Sequence, residues 1–577
     1  MPRFRASAAM AAALTASAMV LTATPALAGG GDEPVAPGTT RLTLLHANDL
    51  ESALLPIELA GAEHAGAARF VQLLRQEQEA ATGPLGTDSL LTLHAGDGFL
   101  PGPELDAGQA EDAGSLYDAT AFAAAGFDVG VLGNHDFDLG PEFLAEYLRL
   151  LPDTDFVSAN LDLAPEPALA ELAGDGTVVA RTVVEDGGEQ YGVIGLTTPE
   201  LPQLSSSGDV AVDRDLAGVV NAQAAALEAR GVDRIILLSH LQDIGNEIEL
   251  VADLTGVDLV VGGGGGEIMA SPGNPLPPED EVDTGADGQP LAYPTTAVAA
   301  DGAEVPVVTT TGLYRYVGKL VVDFDAEGDV VGVDANESRP LPVDSSVEPD
   351  PQVLAEVEEP VSAYVAGLAD EVVATSEVPL DGTRTAIRGG PTNLGDLVAD
   401  SLLAAGRAGA ADAGIAEPVV ALQNGGGIRN DSVLPAGPIS ALDTFDVTPF
   451  PNFVAVAPEM PVADFVAALD HGSVAGEGSF AQIAGFTYTA DPAAPAGTRI
   501  TELTLDDGTA LVAGGEVVGE GTISVTSIDF LLRGSDGYAA FEGTEFTVLP
   551  QSQQAALQSF LRDDLGGTVT AEAYPAN

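Results

Sequence analysis

The sequence of 577 residues contains no cysteine, which excludes disulfides and thiolate metal sites. Any bound metal ion must therefore be held by oxygen atoms or by the chain's six histidines. Basic residues are also scarce, because 20 Lys and Arg stand against 88 Asp and Glu and give a formal net charge of −68. A chain this acidic repels phosphate backbones, so no nucleic-acid polymer is expected as a partner.

Long apolar runs are rare as well, and the clearest one lies at the N-terminus. Residues 1–28 contain Arg3 and Arg5, an apolar stretch from about Ala8 to Leu21, and "ALA" at Ala26–Ala28 before Gly29. This pattern is typical of a cleaved secretion signal. No later run reaches the ~20 uninterrupted apolar residues that a membrane helix needs. The sequence predicts a secreted, extracellular protein without a membrane anchor.

The length and the apolar pattern predict two large domains, since single cores stop growing near ~250–300 residues. Within 39–342, short β-branched runs alternate with Ala-rich helical patterns, which indicates α/β layering. A helical linker is expected over 343–376, followed by a second domain over 377–577. The predicted strands of the first domain include 42–47, 90–97, 129–136, 191–198, 234–240 and 257–263.

Polar residues follow these strands where open α/β sheets place their sites, at the carboxyl ends. They are Asp49, Glu51, Asp97, Asn134, His135 and His240. One such residue alone is more typical of a turn or a helix cap. Several in succession offer the carboxylate, amide and imidazole ligands that divalent cations accept, and two cations can clamp an in-line phosphoryl displacement. Metal-assisted hydrolysis is the hypothesis that follows.

The order of these motifs resembles the calcineurin-like metallophosphoesterases, in particular the secreted bacterial 5′-nucleotidase and UDP-sugar hydrolase family. "GNHDFDLG" at 133–140 is the strongest motif, and "NLDL" at 160–163 and "TTGLYRYVGKLVVDFD" at 310–325 extend the likeness over nearly all of 40–340. The resemblance implies a four-layer β-sandwich flanked by helices, joined by a helix to a second α+β domain that binds substrate.

The resemblance also implies roles for the strand-end residues. Asp97 would bridge two divalent metal ions, with Asn134 and His240 on one ion and Asp49 on the other. His135 and Asp138 would form the catalytic pair beside the phosphate.

Two departures from the family pattern concern the metal ligands. Glu51 stands where the family usually has a histidine, and Gly264 and Gly266 stand where two more are usual. The site is then inactive, or binds one metal, or uses Glu51 and Glu267 as replacements. We prefer the third interpretation, which predicts two ions of Ca²⁺, Mg²⁺ or Mn²⁺ rather than Zn²⁺. An exposed Glu267 that begins the next helix is the structural alternative.

Four motifs of the second half are similar to the C-terminal domain of the same family: "TRTAIRGGPTNLGDLVADSLL" (383–403), "LQNGGGIRND" (422–431), "TPFPNFVAV" (448–456) and "DFLLRGSDGY" (529–538). The likeness implies that Arg388 and Arg429 face the anionic part of the substrate. It implies further that Asn424 contacts the base, that Phe450 and Phe530 sandwich it, and that Asp536 binds the ribose. An isolated Phe is more often part of a core, so the roles of Phe450 and Phe530 depend on the motifs that contain them.

Two functions remain open at this point. The first is a secreted phosphohydrolase that releases phosphate from nucleotides or related phosphoesters by metal-activated water. The alternative is a nucleotide-binding protein whose degenerate metal site has lost turnover. The sequence distinguishes neither the substrate among nucleotides, UDP-sugars, cyclic nucleotides and simple phosphomonoesters nor the oligomeric state.

Overall fold

The computed structural model describes residues 28–29, 39–83, 87–110, 113, 116–474, 476 and 478–576. The predicted secretion signal, apart from Ala28, lies outside these residues. Within the described ranges, no helix combines the length and the apolar character needed to cross a membrane.

The first half of the chain forms a nine-stranded and a six-stranded sheet. The larger sheet contains Ala28–Gly29, Val330–Asp334, Tyr316–Phe324, Thr40–Ala47, Ser89–His94, Val129–Val131, Asp155–Val157 and Val178–Val179 in spatial order, with Arg339–Pro342 also paired to Tyr316–Phe324. The smaller contains Arg181–Asp186, Glu189–Thr197, Arg234–His240, Leu259–Val261, Glu304–Val308 and Thr295–Val298.

These two sheets pack face to face over one apolar core. Leu44 and Leu93 from the larger sheet and Ile194 and Leu237 from the smaller sheet are fully buried in it. A second core lies on the outer face of the larger sheet, where helix residues such as Phe70 pack. The arrangement is a β-sandwich with helices outside, so the mixed α/β class predicted from the sequence is confirmed.

Parallel pairing brings the carboxyl ends of the central strands together. Thr40–Ala47 pairs in parallel with Ser89–His94, which pairs in parallel with Val129–Val131. In the other sheet, Glu189–Thr197 and Arg234–His240 are also parallel, with Thr197 opposite His240. Consequently the loops that follow these strands collect at one edge of the sandwich.

The helices of the first half lie between these strands. They are Ala67–Ala81, Pro103–Gln109, Tyr117–Ala125, Gly140–Arg149, Pro167–Asp175, Leu201–Leu204, Leu216–Glu228 and Ile244–Val251, with a 3-10 turn at His135–Phe137. The minor strands pair as Ile57–Leu59 with Ala62–His64 and as Leu161–Asp162 with Ala211–Val212.

A helical segment connects the two halves. It consists of Pro351–Val353, Leu354–Glu358 and Glu359–Asp370. Val361 is buried in the outer core of the first half, whereas Leu368 packs against a core of the second half. The connector is therefore packed on both sides.

The second half is built around a five-stranded sheet of Ala481–Ala484, Val420–Asn424, Thr522–Ile528, Phe453–Pro461 and Thr547–Ser552. Smaller sheets contain Phe486–Ala490, Ile500–Leu505, Ala510–Ala513 and Glu516–Val517; Gly437–Ser440, Val372–Ser376 and Thr568–Val569; and Leu380–Asp381 with Val433–Leu434. Its helices are Arg384–Ile387, Asn393–Ala413, Ala441–Val447, Val462–Gly472, Asp529–Leu532 and Gln553–Ser559, which continues into the π-helical Phe560–Asp564.

Candidate functional site

Two tight turns after neighbouring parallel strands form the base of the site. Asp49 and Asp97 both have left-handed backbone conformations, with φ of 51° and 59°. Aspartate tolerates this region better than most residues do. The backbone N–H of Asp49 donates to Gly96 O at 2.9 Å, and that of Glu51 donates to Asp97 O at 3.2 Å. The two turns therefore hold each other in place and aim their carboxylates at a common point.

Asp49, Asp97 and His240 form a buried group whose ligand atoms all lie within 4.8 Å of one another. His240 Nε2 is 3.0 Å from Asp97 Oδ2. The other ring nitrogen, Nδ1, donates to Ala95 O at 2.8 Å. A backbone acceptor at Nδ1 orients an imidazole and directs Nε2 toward a metal ion.

The electrostatics of this group favour a cation. Burial raises the pKa of Asp49 above its ordinary value. Burial also opposes a charge on His240, but the carboxylates of Asp97 and Asp49 outweigh it and raise the pKa of His240 to about 10. The proton on His240 thus offsets part of the negative charge of the two buried carboxylates. A divalent ion at the same point would offset more of that charge.

Glu51, Asp97 and His135 form a second group, again with ligand atoms within 4.8 Å of one another. Asp97 belongs to both groups, and its Oδ1 accepts from the backbone N–H of His135 at 2.8 Å. Burial raises the pKa of Glu51 to about 7, and the nearby carboxylates of Asp49 and Asp97 act in the same direction. The donors are hard oxygens and an imidazole, a set that fits a divalent cation.

His135 and Asp138 are joined, and a serine extends the chain of contacts. His135 Nδ1 lies 2.7 Å from Asp138 Oδ2, and Ser205 Oγ donates to Asp138 Oδ1 at 2.8 Å. Asp138 is buried, while the His135 side chain keeps 30% of its surface exposed. The carboxylate therefore fixes the ring and leaves its far nitrogen free to reach a substrate.

Asp136, between these two residues, has a supporting role that the sequence analysis did not assign. Its Oδ2 accepts from Gly133 N at 2.8 Å and its Oδ1 from Gly98 N at 2.9 Å. One buried carboxylate thus ties the turn of 133–138 to the turn that carries Asp97. The residue stands inside the motif "GNHDFDLG", which was the available signal.

Asn134 lies between the two groups that could hold a metal ion and the neighbouring loops. Its Oδ1 is 3.2 Å from His240 Nε2 and also accepts from the side-chain amide of Gln242. Gln242 was not expected from the sequence, and its position two residues after His240 was the signal available.

The five-glycine turn at 262–266 contributes its backbone to the site. Gly264 N donates to Asp49 Oδ2 at 2.9 Å, and its φ is 93°. A Cβ at this position would lie 2.8 Å from His240 Nε2, so a side chain here would point at the group of Asp49, Asp97 and His240. Gly266 faces open space, since the nearest atom to its Cβ position is 4.0 Å away.

Glu267 does not join either group of ligand atoms in the described part of the chain. Its Oε1 instead accepts from the backbone N–H of Ile244 at 3.2 Å, at the first residue of the helix Ile244–Val251. This placement departs from the ligand role expected from the sequence. A carboxylate at a helix N-terminus satisfies a free N–H and interacts favourably with the helix dipole, which is the physical reason.

A cavity of about 520 Å³ extends from His135 and Asn134 into the second half of the chain. From the first half it is lined by Asn134, His135, Asp138, Leu204, Ser205, Ser206 and Gln242. From the second half it is lined by all six predicted substrate-binding residues, Arg388, Asn424, Arg429, Phe450, Phe530 and Asp536. The structure therefore brings the predicted catalytic pair and the predicted substrate-binding residues to one space.

Inside this cavity, polar and aromatic groups are already arranged. The guanidinium of Arg429 lies over the ring of Phe450, 4.8 Å from its centroid. Asn424 Nδ2 donates to Asp536 Oδ2 at 2.6 Å. Burial, together with the charges of Arg388 and Arg384, lowers the pKa of Arg429. These arginines repel one another, so an anion between them would be stabilised.

Further lining residues were not expected from the sequence, among them Arg384, Asn452 and Arg533. Arg533 also joins the two halves, because it donates to Pro202 O at 3.0 Å. Arg384 and Arg533 lie within two of the quoted motifs, but nothing in their spacing marks them as facing a cavity.

Comparison with known proteins finds relatives of both halves of the chain. A family model described as the 5′-nucleotidase C-terminal domain matches residues 372–543. The chain is 30% identical to the 5′-nucleotidase-related protein of Glossina morsitans morsitans, over 71% of this chain and 72% of that protein. The chain is also 26% identical to the trifunctional nucleotide phosphoesterase protein YfkN of Bacillus subtilis. That match covers 88% of this chain and 33% of YfkN.

A solved structure is similar over almost the whole chain. The crystal structure of the 5′-nucleotidase precursor from Thermus thermophilus superposes with a TM-score of 0.64 and 30% sequence identity. The match covers 92% of this chain and 99% of that one. With the two acidic and histidine-containing groups at the edge of the sandwich, these likenesses show that the chain belongs to the 5′-nucleotidase family of metal-dependent phosphoester hydrolases.

Proposed function

We propose that the protein is a secreted phosphohydrolase that releases phosphate from nucleoside monophosphates. The observation that supports this most is the single cavity, which runs from His135 to Phe450 and Phe530. A nucleotide would fit such a space with its phosphate near His135 and its base near the two aromatic rings.

Two divalent ions are proposed at the overlapping groups that share Asp97. Asn134 and His240 would hold one ion, Asp49 and Glu51 would hold the other, and Asp97 would contact both. His135 stays free to act on the substrate. When bound, such ions supply an activated water nucleophile and offset the charge of the phosphoryl oxygens. Because Glu51 gives oxygen where imidazole is usual, we propose Ca²⁺, Mg²⁺ or Mn²⁺ rather than Zn²⁺.

His135 is proposed to act on the phosphate or on the leaving oxygen. Burial opposes its charge, but the carboxylates of Asp138 and Asp97 outweigh burial and raise the pKa of His135 well above its ordinary value. Asp138 holds Nδ1, so Nε2 is the atom that donates a proton or a hydrogen bond.

The second half of the chain is proposed to recognise the nucleoside. The rings of Phe450 and Phe530 stack on the base, Asn424 and Asp536 bind its polar atoms and the ribose, and Arg388 and Arg429 bind the anionic part. Stacking on an aromatic ring contributes about 1–3 kcal/mol per base. The proposed substrate-binding domain spans 377–577, the metallophosphoesterase domain 39–342 and the linker 343–376.

The alternative of a binding protein without turnover is not favoured. It requires the metal site to be degenerate, yet Asp49, Asp97 and His240 lie together, as do Glu51 and His135. The glycine turn that replaces the usual histidines still orients Asp49 through Gly264 N.

A hydrolysis screen with reconstituted metal ions tests the proposal. Protein stripped with EDTA would be supplied in turn with Mn²⁺, Mg²⁺, Ca²⁺ and Zn²⁺ and assayed for phosphate release from AMP, UMP, UDP-glucose, a cyclic nucleotide and p-nitrophenyl phosphate. We expect nucleoside monophosphates to give the highest kcat/KM. Nucleotide binding without phosphate release under any ion would contradict the proposal. Recovery of mature chain lacking residues 1–28 in culture medium would test secretion.

A further inference from the structure

The side chain of Gln242 ends beside Asn134 and His240. Gln242 follows the strand Arg234–His240 by two residues and is half-buried. Its amide nitrogen donates to Asn134 Oδ1, and the same oxygen lies 3.2 Å from His240 Nε2. Two amides and an imidazole therefore converge next to Asp97 Oδ2, which is 3.0 Å from His240 Nε2.

The amide occupies space that a side chain at position 264 would need. A Cβ on Gly264 would lie 2.8 Å from Gln242 Nε2 and 2.8 Å from His240 Nε2. Gly264 carries no side chain, and Gln242 reaches the same space from the opposite loop. Gln242 does so from a left-handed backbone with φ of 74°, a conformation that residues with a Cβ adopt infrequently.

We propose that Gln242 is a ligand of the ion at His240 and that its amide oxygen replaces the side-chain ligand that Gly264 lacks. A half-turn of the terminal amide exchanges its oxygen and nitrogen, which are similar in size. With a cation bound, this turn brings Oε1 beside Asn134 Oδ1, so both oxygens face the ion. Amide oxygens are ordinary ligands of Ca²⁺ and of other hard divalent ions.

The inference rests on the proposed function only in requiring that a divalent ion binds beside His240. It adds an uncharged oxygen ligand to a centre otherwise made of carboxylates, Asn134 and imidazole. Gln242 also lines the substrate cavity, so the ligand lies on the side from which a phosphate would approach.

Calorimetric titration of the full chain with Mn²⁺ after EDTA treatment tests the inference. Gln242→Gly removes the amide and suits the left-handed backbone, so lost binding would not reflect strain. We expect the affinity for one ion to fall at least about tenfold, the loss typical even of residues that only support a ligand. Ala60→Gly is the matched control, because Ala60 is exposed and also has a positive φ of 51°.

Gln242→Glu separates a ligand from a hydrogen-bond donor. A carboxylate still offers an oxygen to the ion, so we expect Mn²⁺ affinity to be equal to or higher than that of the wild type. A residue that only donated N–H to Asn134 would lose that bond in this variant, and affinity would fall. Weaker binding by Gln242→Glu, unchanged binding by Gln242→Gly, or no Mn²⁺ binding by the wild type would each overturn the inference.

The titration is independent of turnover. A protein whose Mn²⁺ affinity depends on Gln242 but that releases no phosphate from any tested ester would support the ligand assignment and contradict the proposed function. Melting temperatures measured with EDTA present show whether each variant is folded.

Discussion

His135 Nδ1 lies 2.7 Å from the carboxylate of Asp138, and this contact determines which ring nitrogen faces the cavity. Ser205 holds the other carboxylate oxygen at 2.8 Å, so the carboxylate cannot rotate away. The far nitrogen of the ring is then directed into the space shared with Arg388 and Phe450. A histidine oriented in this way has a fixed donor for a phosphoryl oxygen.

Replacing His135 with Ala is predicted to lower kcat for AMP by about 10²–10⁴-fold, the usual contribution of a positioned acid or base. Asp138→Asn keeps the shape but loses the charge, so it should lower kcat less. Steady-state kinetics and melting curves measure the two effects. A His135→Ala enzyme with the kcat of the wild type would remove this residue from the mechanism.

Removing the aromatic rings is predicted to affect nucleotides selectively. Phe450→Ala combined with Phe530→Ala should raise KM for AMP by at least about tenfold, because stacking contributes about 1–3 kcal/mol per base. The KM for p-nitrophenyl phosphate should change much less, since that ester has no nucleobase. Equal changes for both substrates would mean that the two rings support the fold instead of the substrate. Phe450 is 37% exposed, which suits a binding role.

The sequence predicted the strands around the site well, because apolar runs and polar strand ends are local features. Arg234–His240 has the predicted bounds, whereas the strand predicted at 129–136 ends at Val131. The carboxylate of Asp136 accepts from the backbone N–H groups of Asp97, Gly98 and Gly133 and holds the chain after Val131 in a turn. Such a tertiary contact has no local signature in the sequence.

The placement of Glu267 and Gln242 shows the same limit at the site. Both follow the ends of strands, and both could reach a metal ion in principle. Glu267 instead turns to the N-terminus of a helix, whereas Gln242 enters the space left by Gly264. The direction of the backbone decides which of the two polar side chains enters the site. The hydrophobic periodicity of the sequence does not define that direction.

Asp258 is predicted to make stability depend on pH. Its Oδ2 accepts from Ile235 N at 2.7 Å, and burial raises its pKa to about 7. In the unfolded chain an aspartate titrates near ~3.9, so only the unfolded state loses this proton between about pH 4 and pH 7. The folded state is therefore stabilised at low pH, and that stability is lost as pH rises through about 7.

Asp258→Asn should remove this part of the pH dependence. The free energy of unfolding would be measured with urea at pH 5 and at pH 8, at constant ionic strength. The difference between the two pH values should be smaller for the variant than for the wild type. One pKa unit corresponds to about 1.4 kcal/mol, so the two differences should diverge by a few kcal/mol at most. Asp153→Asn is the control, since it removes the same charge from an exposed position. Equal pH dependence in both variants would contradict the assignment to Asp258.

Glu51 and Glu267 are predicted to differ in their effects on metal affinity. Glu51 lies with Asp97 and His135, so Glu51→Gln should weaken Mn²⁺ binding by about tenfold or more. Glu267 contacts Ile244 N, so Glu267→Gln should leave affinity unchanged and slightly lower the melting temperature. Titration calorimetry compares the two variants directly. Weaker binding by Glu267→Gln would restore the ligand role expected from the sequence.

Glu51→His is predicted to shift the metal preference toward Zn²⁺. Imidazole is a borderline ligand that suits Zn²⁺, whereas carboxylate oxygen suits Ca²⁺, Mg²⁺ and Mn²⁺. The wild type should therefore regain most activity with one of these three ions, and Glu51→His should raise the ratio of Zn²⁺ to Mn²⁺ affinity. Competition titrations with a chromophoric chelator measure that ratio without turnover.

Glu51→Asn serves as the control for this variant. Position 51 is half-buried and its backbone φ is 48°. Asn tolerates a left-handed backbone but offers no imidazole. A wild type that prefers Zn²⁺ as strongly as Glu51→His would show that the carboxylate does not set the preference.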